Sequence, residues 1–250
     1  MVNTIFEGFK KSYSHINLKQ VKYINYCNGF LYRKIQKFNL SFPEIKINPY
    51  FNIFQILSLK EIHHSKIIGK FIDPLSKHGY SNIFLKLFFK IVLNDHIFEY
   101  SEIEKWIITI EKLGRFDIRI RNRNNSKIII IENKSNEADD KPNQLYRYWY
   151  NGIYKPQSIL SKSITTYGKI LYLSPGYWKK PDLQTITRPT NFEKDLPNII
   201  PNDIIKLVVF SNEIVKWLSA CLSIVEKNTE LQYCIMQYLE YWREYHGKDY

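Results

Sequence analysis

Asp117 and Glu132 are two carboxylates whose placement could do metal chemistry, and Lys134 stands two residues beyond the second. The stretch Arg115-Phe116-Asp117-Ile118-Arg119-Ile120-Arg121 alternates polar and apolar residues strictly. In an extended strand this puts Arg115, Asp117 and Arg119 on one face, and Phe116, Ile118 and Ile120 on the other. Glu132 and Lys134 share a face of the following run. Between the two runs, Asn124-Asn125 tolerates the positive φ of a tight turn. A two-residue loop there sets Asp117 opposite Glu132 and Arg115 opposite Lys134. A four-residue loop, Arg123 to Ser126, keeps that pairing, and an odd-length loop would break it. Directly opposed residues have Cβ atoms about 4.5–5.5 Å apart. Two carboxylates that close repel unless a cation lies between them or one takes up a proton. Hard oxygen ligands on a rigid hairpin suit Mg2+, which keeps several waters and takes one or two carboxylates plus phosphate oxygens. Lys134 could then orient the attacking water or stabilise charge growing on a phosphate. The same four charges could also form a solvated ladder on an exposed sheet. The run Ile128 to Ile131 argues against that, because four consecutive isoleucines suit a strand buried on both faces.

Further polar residues bear on the same site. Glu61 and His64 sit three apart on a predicted helix, with Ser65 one turn from Glu61. An ordinary polar stripe would look the same. Gln144 and Tyr148 are four apart on the helix expected after the hairpin, so both could point back to the carboxylates. A first-turn glutamine beside a packed tyrosine is the plainer alternative. Glu111 closes the strand before the hairpin, and the face it occupies depends on the turn at 112–114.

The elements that must position these side chains follow from periodicity. Residues 3–38 carry apolar and aromatic residues at helical spacing, with a break at Ser41-Phe42-Pro43. Helices are expected over 50–66 and 81–95. Then the period changes to β-branched runs at 106–111, 115–121 and 127–134, a three-strand meander. A helix is expected over 141–154, and strands over 169–173 and 206–210. A long proline-rich connection fills 177–203. Ser211 is expected to cap a helix carrying Glu213 in its first turn and running to about 226. An aromatic helix closes the chain over 229–245. Helices on both sides of a mixed sheet make an α/β sandwich.

Composition bounds the function classes. With 250 residues, 44% of them hydrophobic and 24% charged, the chain can bury a sizeable core and is not a disordered segment. Its longest aliphatic run is too short to cross a bilayer, so no membrane partner is expected. No secretory signal is evident. Cys27, Cys221 and Cys234 lie far apart, which excludes a thiolate zinc site of the usual spacing and a disulfide framework. A reducing, cytoplasmic setting is the default. The net charge is +12. Residues 1–50 hold eight basic residues against two acidic ones, half of that excess in a fifth of the chain. Such an excess suits nucleic acid. A lysine-rich surface from AT-rich coding would give the same excess, and the presence of only Ala138 and Ala220 as alanines fits that bias. Tyr13, Tyr23, Tyr26 and Tyr32 interleave with the basic residues and could stack on bases, although core packing accounts for most of them as simply.

Taken together, these motifs resemble the PD-(D/E)XK nuclease superfamily. Within it the chain is similar to a bacterial subgroup with E-x-x-H-S, G-R-x-D-I, I-E-N-K and Q-L-x-R-Y segments. Here these read Glu61-Ile62-His63-His64-Ser65, Gly114-Arg115-Phe116-Asp117-Ile118, Ile131-Glu132-Asn133-Lys134 and Gln144-Leu145-Tyr146-Arg147-Tyr148. Leu171-Tyr172-Leu173-Ser174-Pro175 matches the subgroup's following strand, and the likeness covers roughly residues 50–225. The resemblance implies a restriction-endonuclease-like α/β fold, a mixed β-sheet core flanked by helices. It implies a nuclease core over 49–226; the basic segment 1–48, expected as a helical extension, and the tail 227–250, expected as a C-terminal helix packed on the core, have no counterpart in it. It implies Asp117, Glu132 and Glu61 as metal ligands, with the Asn133 carbonyl as a further one. Lys134 would assist the attacking water, and Gln144 and Tyr148 would position substrate or the lysine. His64, Arg115, Arg119 and Glu111 would support the site or touch nucleic acid. The implied cofactor is Mg2+, with Mn2+ substituting. The implied partner is nucleic acid, DNA ahead of RNA, in antiphage or mobile-element defence. Phe116 stands where the superfamily name puts proline, which leaves the metal chemistry untouched. Two rival readings are a non-catalytic nucleic-acid-binding module on the same fold, and an interaction domain whose aromatic C-terminal helix supports a homodimer.

Overall fold

The computed structural model describes residues 52–94, 106–110 and 116–246. The basic segment with its tyrosines, and the candidates Glu111 and Arg115, lie outside the described residues. Helices α1 (Ile53–Ile56), α2 (Glu61–Ile72) and α3 (Ile83–Phe88) lead into the sheet. Strands β1 (Ile107–Ile110), β2 (Ile118–Arg121) and β3 (Lys127–Asn133) form an antiparallel meander. Helices α4 (Gln144–Trp149) and α5 (Lys155–Ser158) cross to β4 (Tyr167–Ser174), which runs parallel to β3. The one-turn helix α6 (Leu183–Ile186) precedes β5 (Ile205–Val209), parallel to β4, and α7 (Val215–Ile224) and α8 (Glu230–His246) complete the order. The sheet reads β1-β2-β3-β4-β5. This mixed five-stranded sheet flanked by helices is the α/β architecture expected from the sequence.

β3 is the centre of the molecule. Ile128 through Ile131 have no exposed surface, as expected of a strand covered on both faces. Ile129 and Ile131 face a core built with α2, α3, α7 and α8, while Ile128 and Ile130 face Leu145, Tyr148, Trp149 and Ile153. Each such side chain contributes about 1.5–3 kcal/mol relative to exposure.

The hairpin has the register that alternation and turn chemistry require. Ile118 pairs with Ile131 and Arg121 with Ile128. The loop is the four-residue one. The Asn122 N–H donates to the Lys127 carbonyl at 3.1 Å, and Asn125 takes φ 61°. The Asn122 carboxamide closes it, donating to Ser126 Oγ at 2.9 Å and accepting the Lys127 N–H at 3.0 Å.

Several helices are shorter than their apolar periodicity predicts. The helix expected over 50–66 is two helices, because Ser58 adopts φ 46° and Leu59 turns into the core. The helices expected over 81–95 and 141–154 pass into π-helical turns at Phe89–Leu93 and Tyr150–Tyr154. In the second, a side chain on Gly152 would place its Cβ 2.3 Å from Ile130 Cδ1, so glycine lets this turn lie against β3. Ser211 is not the cap it was expected to be. It lies within a π-helical turn, Phe210–Ile214, and the Glu213 carboxylate accepts the Val209 N–H at 2.9 Å. The connection over 177–203 is not wholly irregular, since it contains α6 and an isolated bridge between Thr187 and Ile199. α8 packs into the core through Ile235, Tyr238, Leu239 and Trp242. No helix among the described residues is long and apolar enough to cross a membrane.

Candidate active site

The end of β3 carries three consecutive polar residues that are almost fully enclosed: Glu132, Asn133 and Lys134. Strand alternation sends Glu132 to the α4 side, with Ile128 and Ile130, and Asn133 to the α2 side. The main chain continues to be held past the strand, where the Lys134 N–H donates to the Leu173 carbonyl of β4 at 2.8 Å.

Glu132 is the hub. Its Oε1 lies 3.1 Å from Lys134 Nζ and accepts from Gln144 Nε2 at 2.9 Å. Gln144 Nε2 also donates to the Tyr148 hydroxyl at 2.9 Å, so the four-residue spacing on α4 brings both side chains to the carboxylate. The other oxygen, Oε2, is buried and has no hydrogen-bond partner among the described residues. Burial first, and the charge of Asp117 second, push the Glu132 carboxyl well above the usual carboxylate range, although Lys134 pulls the other way. The Tyr148 phenol is held neutral by burial and by the charge of Glu132.

Asp117 immediately precedes β2. Its Oδ2 accepts the Asn133 N–H at 2.7 Å, which ties the start of one strand to the end of its neighbour. The Asn133 carboxamide turns the other way, donating to the Glu61 carbonyl at 2.9 Å and to Ser65 Oγ at 3.0 Å. Glu61 opens α2 beside this junction. Its carboxylate accepts the N–H groups of Asn136 at 3.3 Å and Ala138 at 3.4 Å, and so orders the turn after β3.

Lys134 has a second carboxylate neighbour that sequence reasoning missed. Asp140 Oδ1 lies 3.7 Å from its Nζ, and the Asp139 carbonyl accepts from Nζ at 3.2 Å. Asp140 is buried, and also accepts from the Tyr172 hydroxyl at 3.1 Å and the Asp182 N–H at 3.0 Å. Burial works against the charged form, but Glu132 first, then Asp140 and Glu61, outweigh it and raise the Lys134 ammonium above its ordinary range. The missed signal was register, since parallel pairing sets Tyr172 beside Glu132.

Two supporting candidates sit elsewhere. His64 is fully buried. It lies against Phe210, Tyr238, Tyr241 and Trp242, with Nδ1 2.9 Å from the Tyr238 hydroxyl. Burial, with the charge of His63, lowers its pKa to about 3. Arg119 is on the Glu132 side of the sheet, donating to the Gly152 carbonyl at 3.1 Å with its guanidinium 6.0 Å from the Phe116 ring centre.

Among the described residues, no group of three or more His, Cys, Asp or Glu side chains is gathered to hold a metal. The donor set nevertheless fits Mg2+, which is commonly held by one or two carboxylates and completed by waters and phosphate oxygens. Glu132, Asp140 and Glu61 act on the one Lys134 ammonium and Asp117 acts on Glu132, so acids outnumber the cation, and Glu132 has a buried oxygen with no hydrogen-bond partner among the described residues. Such an oxygen calls for a cation or a proton.

A family model described as the PD-(D/E)XK nuclease superfamily matches residues 51–240. No curated protein and no solved structure matches the chain.

Proposed function

The chain belongs to the PD-(D/E)XK nuclease superfamily, and from that premise we propose that it is a Mg2+-dependent nuclease hydrolysing phosphodiester bonds in DNA. The observation that supports this reading best is the state of Glu132. One oxygen is engaged by Lys134 and Gln144, the other is buried with no hydrogen-bond partner among the described residues, and the charge of Asp117 acts on the same carboxyl.

In this reading Asp117 and Glu132 would hold the ion, with Glu61 and the Asn133 carbonyl as further ligands. A bound divalent ion makes water a stronger nucleophile at neutral pH and neutralises phosphate charge. Gln144 holds the Glu132 carboxylate in one orientation, and Tyr148 holds Gln144. The Lys134 ammonium stabilises the negative charge that builds on the phosphoryl oxygens as water adds to phosphorus. One phosphorus–oxygen bond breaks, and the departing oxygen leaves as an alcohol once it is protonated. Asp140 and the Asp139 carbonyl keep the ammonium from swinging away.

Purified protein incubated with plasmid, linear DNA and RNA in Mg2+, Mn2+ or EDTA is the direct test. Cleavage in either metal, its loss in EDTA, and its loss in Asp117→Ala and Lys134→Ala chains that keep the wild-type circular dichroism spectrum is the expected result. Cleavage unchanged in both variants would remove the assignment. Binding without cleavage, indifferent to EDTA, would make the chain a non-catalytic nucleic-acid-binding module. A role in defence against phage or mobile elements would show as fewer plaques on cells carrying the active chain than on cells carrying Lys134→Ala.

A further inference from the structure

The loop that follows β4 presents aromatic and basic residues close to the candidate site. Tyr177 and Trp178 are 58% and 55% exposed, and Lys179 and Lys180 follow them. An exposed tryptophan beside an exposed tyrosine is costly to leave in water, and these two are held in place. A Cβ on Gly176 would fall 1.9 Å from the Trp178 ring, so only glycine lets the indole lie against the chain there. Ser174 Oγ donates to the Gly176 carbonyl at 2.5 Å, the Lys179 N–H reaches the same carbonyl at 3.4 Å, and Asn212 Nδ2 donates to the Tyr177 hydroxyl at 2.8 Å.

The loop is also tied to the chemistry at both ends. Tyr172 before it and Asp182 after it both hydrogen-bond Asp140, which lies 3.7 Å from Lys134 Nζ. Trp178 is four residues from Asp182, so its backbone lies within about 14 Å of that tether. A nucleic-acid strand carries one phosphate per roughly 3.4 Å of helix axis, so the stretch from Trp178 to the Asp182 tether spans at most about four nucleotides.

Building on the nuclease reading, we propose that Trp178, with Tyr177, is a stacking platform for an unpaired base of the DNA strand held in the site, and that Lys179 and Lys180 take its flanking phosphates. A stacked duplex buries the faces of its bases and leaves nothing for an indole to cover. The platform therefore selects single-stranded or locally opened DNA over continuous duplex. Every base has a π-face, so it carries little sequence preference. The two lysines add salt-dependent affinity on top of the chain's net charge of +12.

The test is fluorescence anisotropy of the full chain in EDTA, which blocks turnover, with a labelled single strand and the matching duplex. Trp178→Ala is expected to weaken single-strand binding about tenfold and duplex binding less than about twofold, with Trp178→Phe recovering most of the loss. Gly176→Ala, which keeps the indole but displaces it, should lose affinity in the same direction. Lys179→Ala with Lys180→Ala should flatten the salt dependence of binding. Unchanged single-strand affinity in Trp178→Ala, an equal loss on both DNA forms, or no binding by the wild-type chain would overturn the proposal. Binding is read without cleavage, so the two readings fail separately. Discrimination without hydrolysis in Mg2+ leaves the platform and removes the nuclease. Hydrolysis with an indifferent Trp178→Ala does the reverse.

Discussion

Gln144 and Asp140 grip the two ends of one ion pair, and removing either has a different consequence. Gln144 Nε2 is a neutral donor to Glu132 Oε1, so Gln144→Ala leaves a buried acceptor one partner short. Lys134 remains to satisfy that oxygen. The expected outcome is a roughly tenfold to hundredfold loss of cleavage rate, with the melting temperature little changed. Asp140 accepts from three directions, so Asp140→Asn keeps the shape but replaces the charge facing Lys134 with a dipole. The carboxamide cannot accept everywhere the carboxylate did, and a loss of about 1–3 kcal/mol by urea denaturation is expected along with lower activity. If Asp140→Asn were as stable and as active as the wild type, Asp140 would have no part in placing Lys134. Gln144 was legible from its four-residue spacing to Tyr148, but the part of Asp140 was not. Asp117, Glu132 and Lys134 announce themselves by spacing, whereas Asp140 follows a turn and reaches the lysine only because that turn folds back.

The hairpin of β2 and β3 is the element that converts spacing into geometry. Its side-chain period is two, so a slip of one residue would send Glu132 to the α2 face and Asn133 to the α4 face. Asn125, at φ 61°, sets the loop length that prevents the slip. Asn125→Gly should be neutral within about 0.5 kcal/mol, while Asn125→Val should cost about 1–2 kcal/mol because a β-branched residue resists the left-handed region. Chemical denaturation of both variants checks this, and equal stabilities would mean the turn does not specify the register. The hairpin was legible in the sequence because alternation, a turn pair and a run of isoleucines agree. The helices were less so. Ser58 gives no compositional sign of its positive φ, and a π-helical turn disturbs the apolar period too little to be seen. The role of Glu213 was hidden for the same reason, since a carboxylate capping backward onto Val209 looks in sequence like any first-turn acid.

At the scale of the whole molecule, α2 and α8 are joined through His64, and this makes stability depend on pH. The imidazole is enclosed by rings from α8 and by Phe210, and Nε2 has no hydrogen-bond partner among the described residues. Protonation would therefore place a charge among buried aromatic side chains, and this burial, with the charge of His63, is why the folded pKa falls to about 3. In the unfolded chain the same group titrates near 6.5. The unfolded state thus binds the extra proton between those two values, so folding stability contributed by neutral His64 is full above about 6.5. It is lost progressively as pH falls toward 3, at up to about 1.4 kcal/mol per pH unit. A His64→Gln chain can still hydrogen-bond the Tyr238 hydroxyl but does not titrate. Urea denaturation from pH 7 to 4 should therefore show the wild type losing stability more steeply than His64→Gln, with the curves converging at the acid end. Every other ionisable side chain is the same in both proteins and cancels in the difference. Parallel curves would mean that His64 is protonated within the fold, and that its enclosure by α8 is looser than the packing of Tyr238 and Trp242 requires.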